Sequence, residues 1–225
     1  MKSFRAALAA VLAMPVLALG PSLTPAVAAP GETVTAPLST LIAALPVRDE
    51  GSRDGYSREQ FKHWIDADRD GCHTRNEVLL AEATTAPEVT GRCTITRHTG
   101  QWQSWYDETV QTDKNDVDID HMVPLGEAWD SGAAAWTAAE RRDYANDLDD
   151  DRSLLAVRDS VNQSKADRDP AEWMPPAASA TCRYLADWVT VKSRWHLSVD
   201  TSELTALHRI ADGCDDPVIT LTHAR

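Results

Sequence analysis

Four cysteines constrain this chain more than any other feature, because they follow a segment that is built like an export signal. Lys2 and Arg5 precede an apolar run over residues 6–19, and the residues after that run end in small side chains that fit a cleavage site. The run is shorter than the roughly 20 residues that a membrane span needs. We therefore expect residues 1–28 to be a signal peptide, and the mature chain to be secreted, with no membrane association.

The cysteines all lie in the predicted mature part, at positions 72, 93, 182 and 214. An even number of cysteines in an oxidising compartment predicts disulfides. Four cysteines allow three pairings. We expect Cys72–Cys93 and Cys182–Cys214, because each pair lies within one local segment. The alternative is a zinc site, which the absence of a Cys-x-x-Cys spacing disfavours.

Composition and charge limit the functions that this chain can have. The chain has 225 residues, 43% of them hydrophobic, which is enough for one buried core. Its formal net charge is −13, and such an acidic balance argues against wrapping nucleic acid by charge alone. Acidic residues dominate residues 107–151, whereas basic residues outnumber acidic ones in the later stretch 152–195, so a surface that faces phosphate is expected there. We expect a monomer.

Periodicity predicts a mixed α+β fold without internal repeats. The predicted helices cover residues 38–47, 57–65, 74–83, 126–136, 138–148, a segment starting near residue 160, 180–194 and 202–211. The predicted strands lie within 94–110, as a hairpin, and over 117–125 and 153–157. Residues 29–50 are expected to be a leader, loose over 30–37, and a first helix. Residues 51–225 then form a single domain, closed by helices over 180–213.

Residues 66–77, which read DADRDGCHTRNE, have the spacing of a calcium-binding loop. The candidate ligands are Asp66, Asp68, Asp70, Cys72 and Glu77. Gly71 stands where such loops turn sharply. His73 replaces the usual aliphatic residue, and no second loop is present for pairing. The resemblance to single EF-hand-like loops predicts a structural calcium clip; the alternative is a solvated acidic turn.

The segment 118–125, which reads DIDHMVPL, concentrates the residues that can perform chemistry. A bend at the end of this strand would let Asp120 bind a cation while His121 faces a water molecule. Histidine has an unperturbed pKa near 6.5, so it can act as a base close to neutral pH. Asn146 and Asn162 follow at the ends of later elements, and an asparagine carbonyl is also a hard metal ligand.

At these residues the sequence resembles the HNH, or ββα-metal, nucleases. The likeness extends to the C-terminal domain of GmrSD-type restriction endonucleases and its secreted actinobacterial relatives, over roughly residues 102–195. The segments that carry it are IDHMVPLGEAWDSGA, YANDL, LLAV, NQSKADRDPAEWMPP and CRYLADWVTVKSRW. The resemblance implies an HNH core over about residues 102–170, embedded in additional helices and preceded by the EF-hand-like loop.

The resemblance also implies roles for single residues. His121 would be the general base, and Asp120 and Asn162 would hold one Mg²⁺ or Mn²⁺ beside the scissile phosphate. Asn146 would fix the loop that orients His121. Two further residues complete the predicted site. Asp118 would orient His121 or add negative charge behind the metal ligands, and Lys165 would contact the phosphate.

The predicted function is that of a metal-dependent endonuclease acting on nucleic acid, DNA before RNA. Because no recognition helix or zinc finger is visible, we expect low sequence specificity. The alternative is a calcium-binding extracellular module whose HNH-like segment is an inactive scaffold. Catalysis with a divalent metal separates the two.

Overall fold

The computed structural model describes residues 29–225, so the predicted signal peptide lies outside the described residues. The described residues form an α+β fold, as predicted, and their strands make four small sheets. The strands are β1 (Thr33–Pro37), β2 (Ala83–Thr85), β3 (Val89–Thr90), β4 (Thr94–Ile95), β5 (Gln101–Ser104), β6 (Thr109–Gln111), β7 (Val117–His121), β8 (Leu154–Arg158) and β9 (Val218–Thr222). The helices are α1 (Leu38–Ala44), α2 (Thr74–Ala81), α3 (Leu125–Asp130), α4 (Ala138–Ala145), α5 (Asp159–Lys165), α6 (Thr181–Arg194) and α7 (Thr201–Ala211).

The antiparallel pair β7 and β8, with α5 directly behind it in the chain, forms the hairpin–helix unit. The register places His121 opposite Leu154 and Val117 opposite Arg158. Helix α5 packs on both strands. The first four residues of β8 are buried, because one face of the pair is covered by α5 and the three-stranded sheet β2–β5–β6 also contacts it. A continuous apolar run suits a strand that is buried on both faces.

Aromatic side chains build the main core, which lies beside the hairpin–helix unit. Tyr184 and Trp188 on α6 are fully buried, and Trp195 follows at the end of the helix. Tyr144 on α4 packs edge-on against Trp195, with ring centroids 5.3 Å apart. Edge-to-face contacts of this kind are favourable for aromatic rings. The core therefore ties α4, which lies behind His121, to the C-terminal helices.

The leader expected over residues 30–37 is ordered, so that prediction is wrong. Residues 33–37 form β1, which pairs with β9 in an antiparallel sheet. The hydroxyls of Thr33 and Thr222, and those of Thr35 and Thr220, hydrogen-bond across it at 2.9 Å. The partner strand lies at the other end of the chain, and β9 itself was not predicted from the sequence.

The prediction of a helix over residues 57–65 is also wrong. This segment, which we call the strap, contains only a 3₁₀ turn at Arg58–Gln60 and is otherwise irregular. Phe61 is fully buried in the aromatic core, and Trp64 has a positive φ of 57°. Burial of Phe61 holds the strap against the core, and the left-handed backbone at Trp64 is incompatible with an α-helix.

Four of the predicted helices are shorter than expected, and two of these are α1, which ends at Ala44, and α2, which ends at Ala81. The helix predicted over 126–136 ends at Asp130, and a 3₁₀ turn follows at Ala133–Ala135. Gly132 between them has φ 132°, a conformation that breaks the helix. Helix α4 likewise ends at Ala145, before the predicted limit of 148.

Both expected disulfides are present. Cys72 in the acidic loop is bonded to Cys93, and Cys182 on α6 is bonded to Cys214 just after α7. Within the part of the chain that the structure describes, no cysteine is left free. No helix in residues 29–225 has the length and apolar character to cross a membrane.

Candidate functional site

The Asp-His pair and Asn162 lie on one small open cavity of about 190 Å³ at the end of the hairpin–helix unit. Asp120 and His121 come from the last two positions of β7, and Asn162 comes from the middle of α5. The remaining lining residues are Arg58, Ile119, Pro124, Leu125, Gln163, Ala166 and Asp167. The strand pair and its helix thus bring together side chains that are separated by more than 40 residues in the sequence.

His121 is held in the neutral form that a general base requires. Its side chain is buried, and Nε2 lies 3.0 Å from the carbonyl oxygen of Ala145. Because a carbonyl only accepts hydrogen bonds, this contact assigns the proton to Nε2 and leaves a lone pair on Nδ1. Burial lowers the pKa of His121 to about 3, partly opposed by the hydrogen bond to Ala145. The imidazole is therefore uncharged at neutral pH.

Two aromatic rings fix the plane of the His121 imidazole. Trp64 of the strap stacks on it at a centroid distance of 5.6 Å and an interplanar angle of 26°. Tyr144 of α4 stacks at 6.4 Å and 18°. With Nε2 also anchored, the ring has little freedom to rotate, which is the arrangement that catalysis by a positioned base needs.

Asp120 is buried, and both of its hydrogen bonds go to Oδ2. The hydroxyl of Tyr106 donates to this oxygen at 2.6 Å, and Lys165 Nζ donates to it at 2.5 Å. Burial raises the pKa of Asp120 and lowers that of Lys165, since both charged forms lose water, while their mutual attraction opposes both shifts. Oδ1 is the oxygen that remains to bind a ligand from the cavity.

Lys165 does not have the position of a phosphate contact, so that expectation is corrected. Its side chain is fully buried, and Nζ also donates to the carbonyl oxygens of His121, at 3.0 Å, and Met122, at 2.8 Å. The three acceptors use all the protons of an ammonium group. Lys165 thus supports the turn after β7 from within the core.

Asp118 contacts Asn162, not His121. The Nδ2 group of Asn162 donates to Asp118 Oδ2 at 3.2 Å, and the two residues lie on β7 and α5. Anchoring the amide nitrogen orients the amide and leaves its oxygen, Oδ1, as a hard donor atom without a side-chain partner among the described residues. Asn162 is half-buried, as expected for a side chain at a cavity wall.

Asn146 lies behind His121 and not on the cavity. Its Oδ1 accepts from Ile65 N–H at 3.1 Å and from the Thr74 hydroxyl at 2.8 Å. Its Nδ2 donates to the carbonyls of Lys62, at 2.8 Å, and Arg142, at 2.7 Å. Since the carbonyl of the preceding residue holds His121 Nε2, Asn146 connects the end of α4 to the strap and to the start of the acidic loop.

The acidic loop brings three of its five candidate calcium ligands together. Carboxylate oxygens of Asp66, Asp68 and Asp70 lie within 4.8 Å of one another, and all three residues are exposed. Glu77 and Cys72 lie outside this cluster. The pKa of Glu77 is raised by burial and by the neighbouring aspartates. Gly71 has φ 96°, the left-handed conformation that a glycine adopts without strain.

Three residues at the site were not singled out in the sequence. Arg58 lines the cavity, Trp64 stacks on His121, and the Tyr106 hydroxyl donates to Asp120. Arg58 and Trp64 belong to the strap, whose SREQFKHWI pattern has the apolar spacing of a helix and hid their role. Tyr106 is fully buried and carries no motif of its own.

Comparison with known proteins identifies the family of the chain. The sequence pattern of the family described as "GmrSD restriction endonucleases, C-terminal domain" matches residues 74–210, more than half of the chain. A protein of Arthroderma benhamiae, described as an "Uncharacterized secreted protein", is 45% identical over 175 residues, covering 78% of this chain and 83% of its own length. No solved structure matches. The chain belongs to the family of the C-terminal domain of GmrSD restriction endonucleases.

Proposed function

We propose that the protein is a secreted, metal-dependent endonuclease that hydrolyses phosphodiester bonds of DNA with low sequence specificity. The observation that carries this proposal is the neutral, anchored His121 on the same cavity as Asp120 and Asn162. Membership of a restriction-endonuclease family supports it. We interpret the hairpin–helix unit as the ββα-metal core. The name of the Arthroderma relative supports secretion.

The chemistry of the cavity fits one divalent ion such as Mg²⁺ or Mn²⁺. Asp120 Oδ1 and Asn162 Oδ1 are hard oxygen donors, and the other polar atom of each side chain is already hydrogen-bonded. These two residues would hold the ion. When bound, it would neutralise negative charge on the phosphate and on the leaving oxygen. The hydrogen bond from Tyr106 to Asp120 and the one from Asn162 to Asp118 would fix the orientation of the two ligands.

The protein's own residues then account for the proton transfer. His121 Nδ1 would accept a proton from the attacking water, and the Ala145 carbonyl would stabilise the imidazolium that forms. Trp64 and Tyr144 keep the ring aimed at the cavity. A positioned general base of this kind contributes roughly 10²–10⁴-fold to a rate.

Cleavage of supercoiled plasmid by the mature protein tests the proposal. We expect nicking and linearisation with Mg²⁺ or Mn²⁺, none with EDTA, and a loss of at least about 10²-fold in His121→Asn. His208→Asn is the matched control, because His208 is an exposed histidine on α7 and lies outside the cavity lining. Full activity of His121→Asn would exclude the assigned base. No cleavage of DNA or RNA with any divalent metal would overturn the proposed function.

The alternative function is a calcium-binding module whose nuclease core is inactive, and the cluster of Asp66, Asp68 and Asp70 favours a calcium site in either case. We propose that this loop binds Ca²⁺ as a structural clip. Calorimetric titration with Ca²⁺ is expected to show one site that is lost in Asp66→Asn/Asp68→Asn. If Ca²⁺ produced neither heat of binding nor a change in the melting temperature, the loop would be a solvated turn and not a calcium site.

A further inference from the structure

We propose that Arg58 binds the phosphate of the substrate at this cavity, in the role that the sequence suggested for Lys165. The inference rests on the proposed nuclease function and deepens it. It assigns to an irregular segment outside the hairpin–helix unit the cation that recognises the scissile phosphodiester.

The charge distribution around the cavity supports this assignment. Of the ten lining residues that the structure describes, only Arg58 carries a permanent positive charge, whereas Asp120 and Asp167 are acidic. Lys165 is fully buried, and its ammonium protons are used by Asp120 and two carbonyls. In a protein with a formal net charge of −13, a dianionic or monoanionic phosphate needs a local cation at this point.

The Arg58 guanidinium is available for a ligand. Within residues 29–225, no ion pair or side-chain hydrogen bond joins it to another residue, and the side chain is exposed. Asp167, the acidic residue that shares the cavity, is instead bonded to Arg53 at 3.0 Å. Arg53 is also bonded to Asp130, so this second arginine is already neutralised. An arginine that is left unpaired beside a reactive histidine is suited to bidentate binding of phosphate.

The backbone that carries Arg58 is firmly held. Its carbonyl accepts from Phe61 N–H at 3.1 Å, closing the 3₁₀ turn. Phe61 is fully buried between Tyr56, Trp129 and Tyr144 in edge-to-face contacts. The same strap ends in Trp64, which stacks on His121. One rigid segment therefore carries both the phosphate-binding cation and a residue that positions the base.

The first experiment compares cleavage by Arg58→Ala, Arg58→Lys and Arg209→Ala. Arg209 is the matched control, because it is an exposed arginine on α7, a helix that packs on α1 and α6. We expect Arg58→Ala to lower kcat/KM by about 10²-fold, the usual effect of removing one donor to developing charge. Arg58→Lys should retain part of the activity, and Arg209→Ala all of it. Guanidinium ion at a non-denaturing concentration should partly rescue Arg58→Ala, which a merely structural role would not allow.

The second experiment measures binding of a DNA duplex in the His121→Asn background, where turnover does not interfere. We expect Arg58→Ala to reduce the slope of log K against log salt by about one phosphate contact. Thermal unfolding should be unchanged, since the Arg58 side chain is exposed.

The outcomes distinguish the two proposals. Wild-type cleavage together with full activity and an unchanged salt slope in Arg58→Ala would overturn the role of Arg58 and leave the nuclease intact. A wild-type protein that cleaves neither DNA nor RNA with any metal would overturn the nuclease proposal and the role of Arg58 with it. A loss of activity without guanidinium rescue, accompanied by a lower melting temperature, would reduce Arg58 to a structural residue.

Discussion

At the scale of the residue, Lys165 illustrates how burial changes the role of a charged side chain. The ammonium group lies beneath the cavity and bonds to Asp120 and to the carbonyls of His121 and Met122. It also lies 5.6 Å from the ring centre of Tyr184. A buried cation surrounded by such acceptors keeps the turn after β7 in one conformation, because any shift of the turn would leave the charge unpaired.

Lys165→Met should therefore destabilise the protein strongly. Removing the cation leaves Asp120 buried and unpaired, and breaking a buried ion pair in this way costs about 3–5 kcal/mol. Urea unfolding measures the loss, with the exposed Lys62→Met as the control. The double variant Asp120→Asn/Lys165→Met should recover much of the stability. A single variant as stable as wild type would contradict a stabilising role of the buried ion pair.

Asn146 gives a second prediction at this scale. Its side chain makes four hydrogen bonds that join α4 to the strap and to the acidic loop. Asn146→Ala should lower the free energy of unfolding by about 2–4 kcal/mol, since four hydrogen bonds are lost and each contributes about 0.5–1 kcal/mol net. Asn76→Ala is the control, because that side chain makes one such bond, to the Cys93 carbonyl. Equal losses of stability in the two variants would contradict the role of Asn146 in joining α4 to the strap and the acidic loop.

At the scale of the element, the C-terminal helices are fastened by covalent and strand contacts of long range. Cys182–Cys214 closes a loop of 32 residues between the start of α6 and the end of α7. The strand pair β1–β9 then joins the two ends of the described chain. Together these contacts hold α6 against the core that supports Tyr144 and, through it, His121.

Replacing this disulfide in Cys182→Ser/Cys214→Ser should lower the free energy of unfolding by about 3–4 kcal/mol, the usual effect for a loop of this length. Guanidinium unfolding under non-reducing conditions measures the change. In a strong reductant, wild type and variant should become equal apart from the small effect of the serines. An unaltered unfolding midpoint in the non-reducing measurement would mean that the helix packing alone holds this end of the molecule.

At the scale of the whole molecule, several buried acids make stability depend on pH. Burial raises the pKa of Glu82 to about 7 and that of Asp187 to about 6. Burial likewise raises the pKa of Glu203 to about 7, although the neighbouring Lys192 opposes the shift. An acid with a raised pKa binds a proton more tightly in the folded state. Its stabilising contribution is complete below the unfolded pKa and is lost as the pH rises through the folded one.

We therefore expect the melting temperature of the wild type to fall between pH 5 and pH 8. Glu82→Gln isolates one contribution, because the amide oxygen of glutamine can still accept from Ala156 N–H, as Glu82 does at 3.0 Å. Relative to wild type, the variant should be more stable at pH 8 than at pH 5, by up to about 2 kcal/mol. A difference that does not change with pH would mean that Glu82 is ionised throughout.

Local patterns in the sequence were sufficient to predict several helices, both disulfides and part of the candidate site. The helices α2, α5, α6 and α7 follow from apolar spacing, and both disulfides follow from cysteines that are close in sequence. The Asp-His pair with its two asparagines predicted one site, and the tertiary structure brings Asp120, His121 and Asn162 to one cavity. Each of these features depends on residues within a short segment, or on a chemistry that only a few residue types provide.

Other features were decided by contacts between distant segments. The partner of β1 lies about as far away in sequence as the described chain allows, so TVTAP carries no local sign of pairing. The strap is irregular because Phe61 is buried against α3 and α4, which overrides its helical spacing. Lys165 faces the core instead of the solvent because Asp120 and two carbonyls surround it. The sequence by itself determined which residues can do chemistry, whereas the tertiary structure decided which of them face the cavity, because burial and pairing depend on the whole set of neighbours.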